Sequence, residues 1–282
     1  MSVLRIEGTG PQVMQELDRI RTLDQEAEGK KSMGCVGIVI GLLVAVAVPM
    51  AGGVAASDTA LAISVGIGAA ITIGSIVFWT HWNRFDYENS RQEAVRRIHQ
   101  CLMQDVDPKT SFTYEIDFRA QDHRQFHLRT DPVQKKSAGF MASKKIRTSH
   151  YRQPVVTIKA RLCDGTRLAA SLLRRSRVRN ITKSKPGKTK YRTQKSHRDL
   201  VAITAQVPPQ RYGNLPQLQQ RLQNQSPPSG QVARVAIEGQ IVKATLSQPV
   251  SYSDQVNGEP LLEGLVWLFR GLRQEKAQAL KP

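Results

Sequence analysis

The sequence predicts a membrane α-helical hairpin, with two transmembrane helices, joined to a cytoplasmic α+β domain with a mainly antiparallel sheet. Two apolar runs, 34–56 and 60–79, contain no charged residue. Each run is about 20 residues or longer, which lets a helix cross a hydrocarbon core of roughly 30 Å. Because only residues 57–59 separate the runs, they predict a hairpin. From about residue 108 onwards, apolar and polar residues alternate with the period of two that is typical of strands.

Helix-start signals divide the part of the chain that precedes the sheet. Thr9 to Gln12 and Ser90 to Glu93 both fit the capping-box pattern, in which two residues three apart satisfy each other's backbone N–H groups. They predict helices over about 11–28 and about 90–103. The predicted segments are an N-terminal cytoplasmic helix over 1–33, the transmembrane hairpin over 34–82, a juxtamembrane helix over 83–107 and a basic α+β cytoplasmic domain over 108–282.

The charges beside the apolar runs predict an orientation. Basic residues flank the hairpin on the side of both termini: Lys30, Lys31, Arg84, Arg91, Arg96 and Arg97. Aromatic residues that favour a membrane interface lie on the same side: Phe78, Trp79, Trp82 and Phe85. The turn of the hairpin carries only Asp58. By the positive-inside rule, the sequence predicts a multi-pass protein of a bacterial-type cell inner membrane, with both termini in the cytoplasm.

Small residues recur at every fourth position within both apolar runs. One row is Gly37, Gly41 and Ala45, and the other is Ala62, Gly66, Ala70 and Gly74. Such rows let helices approach closely in lipid. The interpretation that we favour is packing of the two helices on each other, and the alternative is that one row contacts other subunits of a homo-oligomer. Since the runs contain no ionisable side chain of the kind found in transport sites, they predict an anchor rather than a transport pathway.

The remaining pattern predicts an order of strands and helices. Asp164 and Gly165 form a strong hairpin-turn signal between strands. The predicted elements are a strand over 112–118, a loop over 131–150, strands over 156–162, about 167–182 and about 189–207, a helix over 214–225, strands over 231–238 and 240–247, and an amphipathic helix over about 260–275. The last helix carries both signs of charge on its polar face, which favours packing on the sheet over lying on a bilayer.

The net charge of +18 comes from one part of the sequence. Residues 134–199 hold 20 Lys and Arg against only Asp164 and Asp199, and the rest of the chain is neutral. Such an uneven distribution indicates a polyanionic partner, namely anionic lipid, nucleic acid or an acidic protein. The alternative is a solvated basic surface that only aids solubility.

The candidate polyanion-binding residues lie on two strands that meet at Pro186 and Gly187. At alternate positions, the first strand carries Arg175, Arg177 and Arg179, and the second carries Lys188, Lys190 and Arg192. The period of two places each trio on one face of its strand. Like charges on paired strands repel, so the pattern is readily explained if an anion neutralises them. Tyr191 is the one aromatic residue nearby, which disfavours stacking on single-stranded nucleic acid.

Signs of catalysis are poor, and the sequence predicts no cofactor and no metal site. The three cysteines, Cys35, Cys101 and Cys163, are far apart, and His123 and His127 lie in a strand-like stretch. No phosphate-binding loop, dinucleotide fingerprint or zinc-protease motif occurs. The sequence therefore favours a membrane-anchored binding or assembly module. The alternatives are a subunit of a homo-oligomeric membrane effector or channel, and an enzyme with an unrecognised site.

Overall fold

The computed structural model describes residues 3–51, 58–83, 85, 89–119, 122–137, 143–185, 187–209, 212, 215–224, 232–250 and 258–279. Of the predicted hairpin turn over 57–59, only residue 57 lies outside these residues, as does Arg84, and the second long helix already begins at Asp58. The chain divides into two compact units, one formed by Glu16–Asn89 and the other by Ser2–Gln15 together with Ser90–Pro282. The helical part and the α+β part that the sequence predicted are both present, and the open sheet is antiparallel.

Two long helices make up most of the first unit. Helix α1 spans Gly10–Ala51 and helix α2 spans Asp58–Trp82. The sequence predicted a helix that ends near residue 28 and a separate apolar run from residue 34, but α1 has no break there. The intervening residues contain only Gly29 as a helix-weakening residue and no proline, and an isolated glycine costs a helix only about 1 kcal/mol. Both helices are long and apolar enough to cross a membrane.

The contact between α1 and α2 uses small residues at the same level of both helices. A Cβ atom added to Gly41 would lie 2.8 Å from the backbone nitrogen of Thr72 and 2.9 Å from the carbonyl oxygen of Gly68. One added to Gly68 would lie 2.7 Å from the Cβ of Ala45. Gly37 lies against Ser75 in the same way. The row Gly37, Gly41 and Ala45 therefore packs inside the hairpin.

The second predicted row lies elsewhere on α2. Ala62, Gly66, Ala70 and Gly74 are all exposed, and a Cβ added to Gly66 or Gly74 would have no neighbour within 4 Å. Within the described residues, α2 contributes Gly68, Thr72 and Ser75 to the hairpin contact instead.

Aromatic and basic side chains meet at the end of the hairpin where α2 stops. Lys30 Nζ lies 3.9 Å from the ring centroid of Trp82, and Lys31 Nζ lies 5.9 Å from that of Trp79. A cation over an indole face is attracted by the ring quadrupole. Asn89 Nδ2 also donates a hydrogen bond of 3.2 Å to Glu28 Oε1. The two cation–aromatic contacts join α1 to α2 at this end, and the hydrogen bond joins α1 to Asn89, seven residues beyond the end of α2.

One antiparallel sheet organises the second unit. Its elements, in chain order, are β1 (Val3–Thr9), α3 (Asn89–Leu102), β2 (Ser111–Asp117), β3 (His127–Thr130), β4 (Gln134–Ser137), β5 (Ser143–Arg161), β6 (Arg167–Lys185), β7 (Lys188–Gln206), α4 (Leu215–Asn224), β8 (Val232–Glu238), β9 (Ile241–Val250) and α5 (Glu259–Ala279). The strands follow the order β1-β2-β5-β6-β7-β9-β8 across the sheet, and β2, β3 and β4 pair in turn with the same side of β5.

The prediction of a loop over 131–150 is wrong. This segment forms β4 and the first part of β5, which pairs with β6 from Ser143 opposite Ser184 onwards. The segment is too polar to show a strand pattern of its own, and the pairing with β6 supplies the hydrogen bonds that make it a strand. Residues 138–142 lie outside the described part of the chain.

The core lies on one face of the sheet, which we call the covered face. Cross-strand rows such as Ile158, Ala170 and Ile203 are buried there. Helix α5 packs on this face, because a Cβ added to Gly264 would meet Leu246 at 2.6 Å. The opposite face, which we call the open face, carries alternate residues of the same strands, such as Thr157, Ser171 and Ala202, none of which is buried. The sheet is therefore covered on one face and open on the other.

A buried histidine connects three elements of this unit. His99 Nε2 lies 2.9 Å from the carbonyl oxygen of Gly10, and Nδ1 lies 2.9 Å from the hydroxyl of Tyr114. Because a carbonyl only accepts, Nε2 carries the proton and Nδ1 accepts from the tyrosine. Burial lowers the pKa of His99, against the opposing effect of the hydrogen bond to Gly10. Beside it, Thr9 N–H donates to Gln12 Oε1 at 2.9 Å, which is one half of the predicted capping box.

The hairpin contact predicts opposite outcomes for two glycines. Gly41→Leu forces a side chain into the backbone of α2, and we expect a loss of about 1–3 kcal/mol of stability. Gly66→Leu adds the same atoms where no neighbour lies within 4 Å, and we expect little change. Thermal unfolding of the full chain in detergent measures both. Equal destabilisation by the two variants would contradict this helix contact.

Candidate polyanion-binding surface

Strands β5, β6 and β7 continue beyond the end of β9, with β3 and β4 paired to the outer side of β5, and we call this extension the arm. Strand β9 ends at Val250, which pairs with His197. Beyond this level β6 and β7 stay paired as far as Lys185 opposite Lys188. Gly187 follows in the turn with φ +74°, a conformation that glycine adopts without strain. We define the arm as residues 144–152, 175–185 and 188–198 together with β3 and β4; its base includes the last two rows that pair with β9.

The register places all six predicted residues on one face of the arm. Residues directly opposite each other in an antiparallel pair project from the same face. Lys188, Lys190 and Arg192 lie opposite Lys185, Lys183 and Ile181. Ile181, Lys183 and Lys185 lie an even number of residues along β6 from Arg175, Arg177 and Arg179. All six positions of β6 therefore project from the same face. The six predicted side chains are exposed, and they belong to the continuation of the open face.

Two transverse rows of cations on this face were not recognised from the sequence. At the base of the arm, Arg152, Arg175 and Arg198 lie opposite one another on three strands. Nearer the tip, Lys144, Lys183 and Lys190 do the same. The two rows are eight residues apart along β6, which corresponds to roughly 27 Å. Lys185 extends the surface to the turn.

Some of these additional cations could have been predicted from the sequence, and others could not. Lys183 and Lys185 continue the alternation of Arg175, Arg177 and Arg179 through Ile181, so the sequence pattern could have included them. Lys144 and Arg152 could not be placed, because they lie in or next to the segment predicted as a loop.

The other face of the arm is much less basic. Its described cations are Lys135 of β4, Lys145, Arg147 and Lys195. Lys195 Nζ lies 3.6 Å from Asp122 Oδ2. Tyr191, with 81 % of its surface exposed, also belongs to this face, because it lies opposite Thr182. The charge of the arm is therefore concentrated on the open face.

Among the described residues, the carboxylate of Asp131 partly offsets this surface. Asp131 Oδ2 lies 2.9 Å from His150 Nε2. The hydrogen bond from His150 lowers the pKa of Asp131, and attraction to His150, Arg129 and Arg177 adds to the effect against a smaller cost of desolvation. Asp131 therefore stays ionised and neutralises part of the charge near the middle of the arm.

A buried ion pair lies where the arm joins the body of the sheet. Arg174 Nε and Nη2 donate to the two carboxylate oxygens of Asp199 at 2.8 and 2.9 Å. Both side chains are buried on the covered face, directly opposite each other. Gln153 lies on the next strand of the same row and donates from Nε2 to the carbonyl oxygen of Arg119 at 2.7 Å. Beyond this row, Ser176 Oγ lies 2.9 Å from His197 Nδ1.

The two acidic residues within 134–199, Asp164 and Asp199, both have contacts away from the cationic face of the arm. Asp199 is buried against Arg174, so it does not reduce the exposed charge of the arm. Asp164 lies in the turn between β5 and β6, at the opposite end of these strands from the tip of the arm, and accepts a hydrogen bond from the hydroxyl of Tyr212. Neither carboxylate lies on the cationic face.

The remaining candidate groups have structural contacts. His123 Nδ1 accepts a hydrogen bond of 3.3 Å from Gln125 N–H, and His127 Nε2 lies 2.8 Å from Thr130 Oγ1. Among the described residues, no group of three or more His, Cys, Asp and Glu is arranged to hold a metal ion. Cys101 and Cys163 are free thiols that line one cavity of about 590 Å³, beside α5.

Comparison of the chain with protein-family models, with curated proteins and with solved structures found no match.

The buried ion pair predicts a strong dependence of domain stability on Asp199. Asp199→Ala leaves the buried guanidinium of Arg174 without its carboxylate, and we expect a loss of about 3–5 kcal/mol in the free energy of unfolding. Arg174→Met combined with Asp199→Leu removes both charges, and we expect a smaller loss. Urea unfolding of the full chain, followed by circular dichroism, compares the two. A double variant as unstable as the single one would contradict this role.

Proposed function

We propose that this protein is a membrane-anchored binding or assembly module, in which the open face of the arm engages a polyanion. The observation that carries the proposal is the concentration of cations on one face, where Arg152, Arg175 and Arg198 share one row. The candidate polyanions are anionic lipid headgroups, nucleic acid and an acidic protein partner. No cofactor is part of the proposal.

The first unit supports the anchoring role. Large apolar side chains of both helices are solvent-exposed in the isolated chain, including Leu43 at 58 % and Ile73 at 62 %. Exposing so much apolar surface to water is unfavourable, whereas a hydrocarbon environment satisfies it. Lys30 and Lys31, which lie over Trp82 and Trp79, match the pairing of basic and aromatic residues at a membrane interface. The proposed location is the inner membrane, with both termini in the cytoplasm.

Repulsion between lysine side chains on the paired strands of the arm supports the binding role. Lys183 lies opposite Lys190, and Lys185 lies opposite Lys188. Like charges directly opposite on paired strands are destabilising, and the backbone pairing of the strands opposes this effect. A bound polyanion would remove the repulsion and gain attraction at the same time. Mere solubility would not require the cations to lie in register on one face.

A second candidate function rests on the row Ala62, Gly66, Ala70 and Gly74. These residues are exposed and are not used by the hairpin contact, so they could pack against another copy in a membrane. The protein would then be a subunit of a homo-oligomeric membrane effector or channel. Gly66→Leu distinguishes this candidate, because it would reduce the size of the oligomer without disturbing the hairpin.

The anchoring role predicts a defined topology. Reporter fusions after residue 33 and at the C-terminus should both report the cytoplasm, because the flanking basic residues stay on that side. A cysteine placed at Asp58 should react with an impermeant reagent added outside the cell. A C-terminus on the far side of the membrane would contradict the proposal.

The binding role predicts a face-specific effect of charge. Arg175, Arg177 and Arg179 changed together to Gln should weaken binding of the full chain to heparin, used as a model polyanion, by at least about tenfold. Lys135, Lys145 and Arg147 changed to Gln remove the same charge from the other face and should have a much smaller effect. Wild-type binding should weaken as salt rises. Absence of heparin binding at low salt would contradict the proposal.

A further inference from the structure

We propose that the polyanion is the anionic lipid surface of the membrane itself. This inference rests on the function proposed above and names the partner of the same cationic face. It follows from three properties of the arm: the chemistry of its exposed side chains, the spacing of its cations and its covalent connection to the hairpin.

The open face of the arm has cations but lacks, among the described residues of β5, β6 and β7, the large aromatic platforms and exposed apolar wedges that many nucleic-acid-binding proteins use. Its apolar members there are Ile181, which is buried, and Ile146, which is half-buried. No Phe, Tyr or Trp lies on this face within the described residues, its one ring is the half-buried imidazole of His150, which lies 2.9 Å from Asp131, and the exposed Tyr191 projects from the other face. Proteins that hold single strands stack bases on aromatic rings, and many that bend duplexes insert apolar wedges. The arm instead has the chemistry to contact negatively charged groups at a surface.

The cations are unevenly spaced along the arm. Three arginines share the row of Arg175, and the row of Lys183 also holds Lys136, Lys144 and Lys190. Between these rows, Arg177 shares its row with Arg129, whereas Arg179 and Arg192 each lie in rows with no other arginine or lysine among the described residues. The phosphates of a nucleic acid have a fixed spacing along each strand. Lipids diffuse in the plane of a bilayer, so their headgroups can gather under both rows without a matching period.

The connection to the hairpin makes a membrane the nearest large anion. An anionic leaflet attracts each nearby Lys or Arg enough to strengthen binding roughly fivefold. Because the arm and the proposed anchor belong to one chain, the second contact is intramolecular and benefits from a high effective concentration. No free partner is needed. With no exposed apolar residue on the open face of its strands β5, β6 and β7 among those described, the arm would bind at headgroup level without entering the hydrocarbon.

The test uses the full chain held in nanodiscs of phosphatidylcholine and measures its affinity for three probes at one salt concentration. The probes are vesicles of phosphatidylcholine with phosphatidylserine, vesicles of phosphatidylcholine alone, and duplex DNA. We expect binding to the phosphatidylserine vesicles, little binding to the neutral ones, and weaker binding to DNA.

Three triple variants to Gln, each removing three charges, locate the contact. One removes the base row (Arg152, Arg175 and Arg198), one the tip row (Lys144, Lys183 and Lys190), and the control the other face (Lys135, Lys145 and Arg147). Either row variant should lose about a hundredfold in affinity for the anionic vesicles, and the control less than about tenfold. Circular dichroism verifies that each variant is folded.

The outcomes separate this inference from the function on which it rests. Tighter binding to DNA than to anionic vesicles overturns the lipid inference and leaves the polyanion-binding function in place. Equal losses in all three variants also overturn it, because net charge and not this face would then determine binding. Binding to neither probe at low salt overturns both.

Discussion

The cross-strand register of β5, β6 and β7 is the constraint on which the rest of this structure depends. It brings like charges opposite one another, as at Arg175 and Arg198 or Lys183 and Lys190. Repulsion across the ladder must be balanced by the backbone hydrogen bonds of three paired strands and by the ion pair between Arg174 and Asp199 at the base. The same register that costs stability assembles one continuous cationic face from three strands.

Periodic and charge patterns made part of this architecture predictable. The apolar runs, the long strands that became β6 and β7 and the alternation of Arg175, Arg177 and Arg179 are local signals, and each appears in the structure as an element or a face. The first half of β5 was missed because its strand character comes from pairing with β6. A bulge near Val155 adds a second obstacle: both Val155 and Val156 are buried, so the alternation changes phase within one strand.

The two rows of small residues also show what residue spacing alone cannot predict. Spacing alone made Gly41 and Gly66 look equivalent, but only the rotation of α2 about its axis decides which of its faces meets α1. In the structure that face carries Gly68, Thr72 and Ser75, and Gly66 points away. The hairpin thus presents one face of α2 that is used within the fold and one that remains exposed. For the arm, charge and chemistry are the reasons for which we propose the open face as a surface for anions.

The central claim is that the open face of the arm meets an anionic membrane, and lysine footprinting tests it within one molecule. Acetylation of the full chain, in nanodiscs with and without phosphatidylserine, is read by mass spectrometry at Lys183 and Lys190 on the open face and at Lys145 on the other. The account predicts that phosphatidylserine protects Lys183 and Lys190 and leaves Lys145 reactive. Equal reactivity of all three lysines in the two membranes would contradict it.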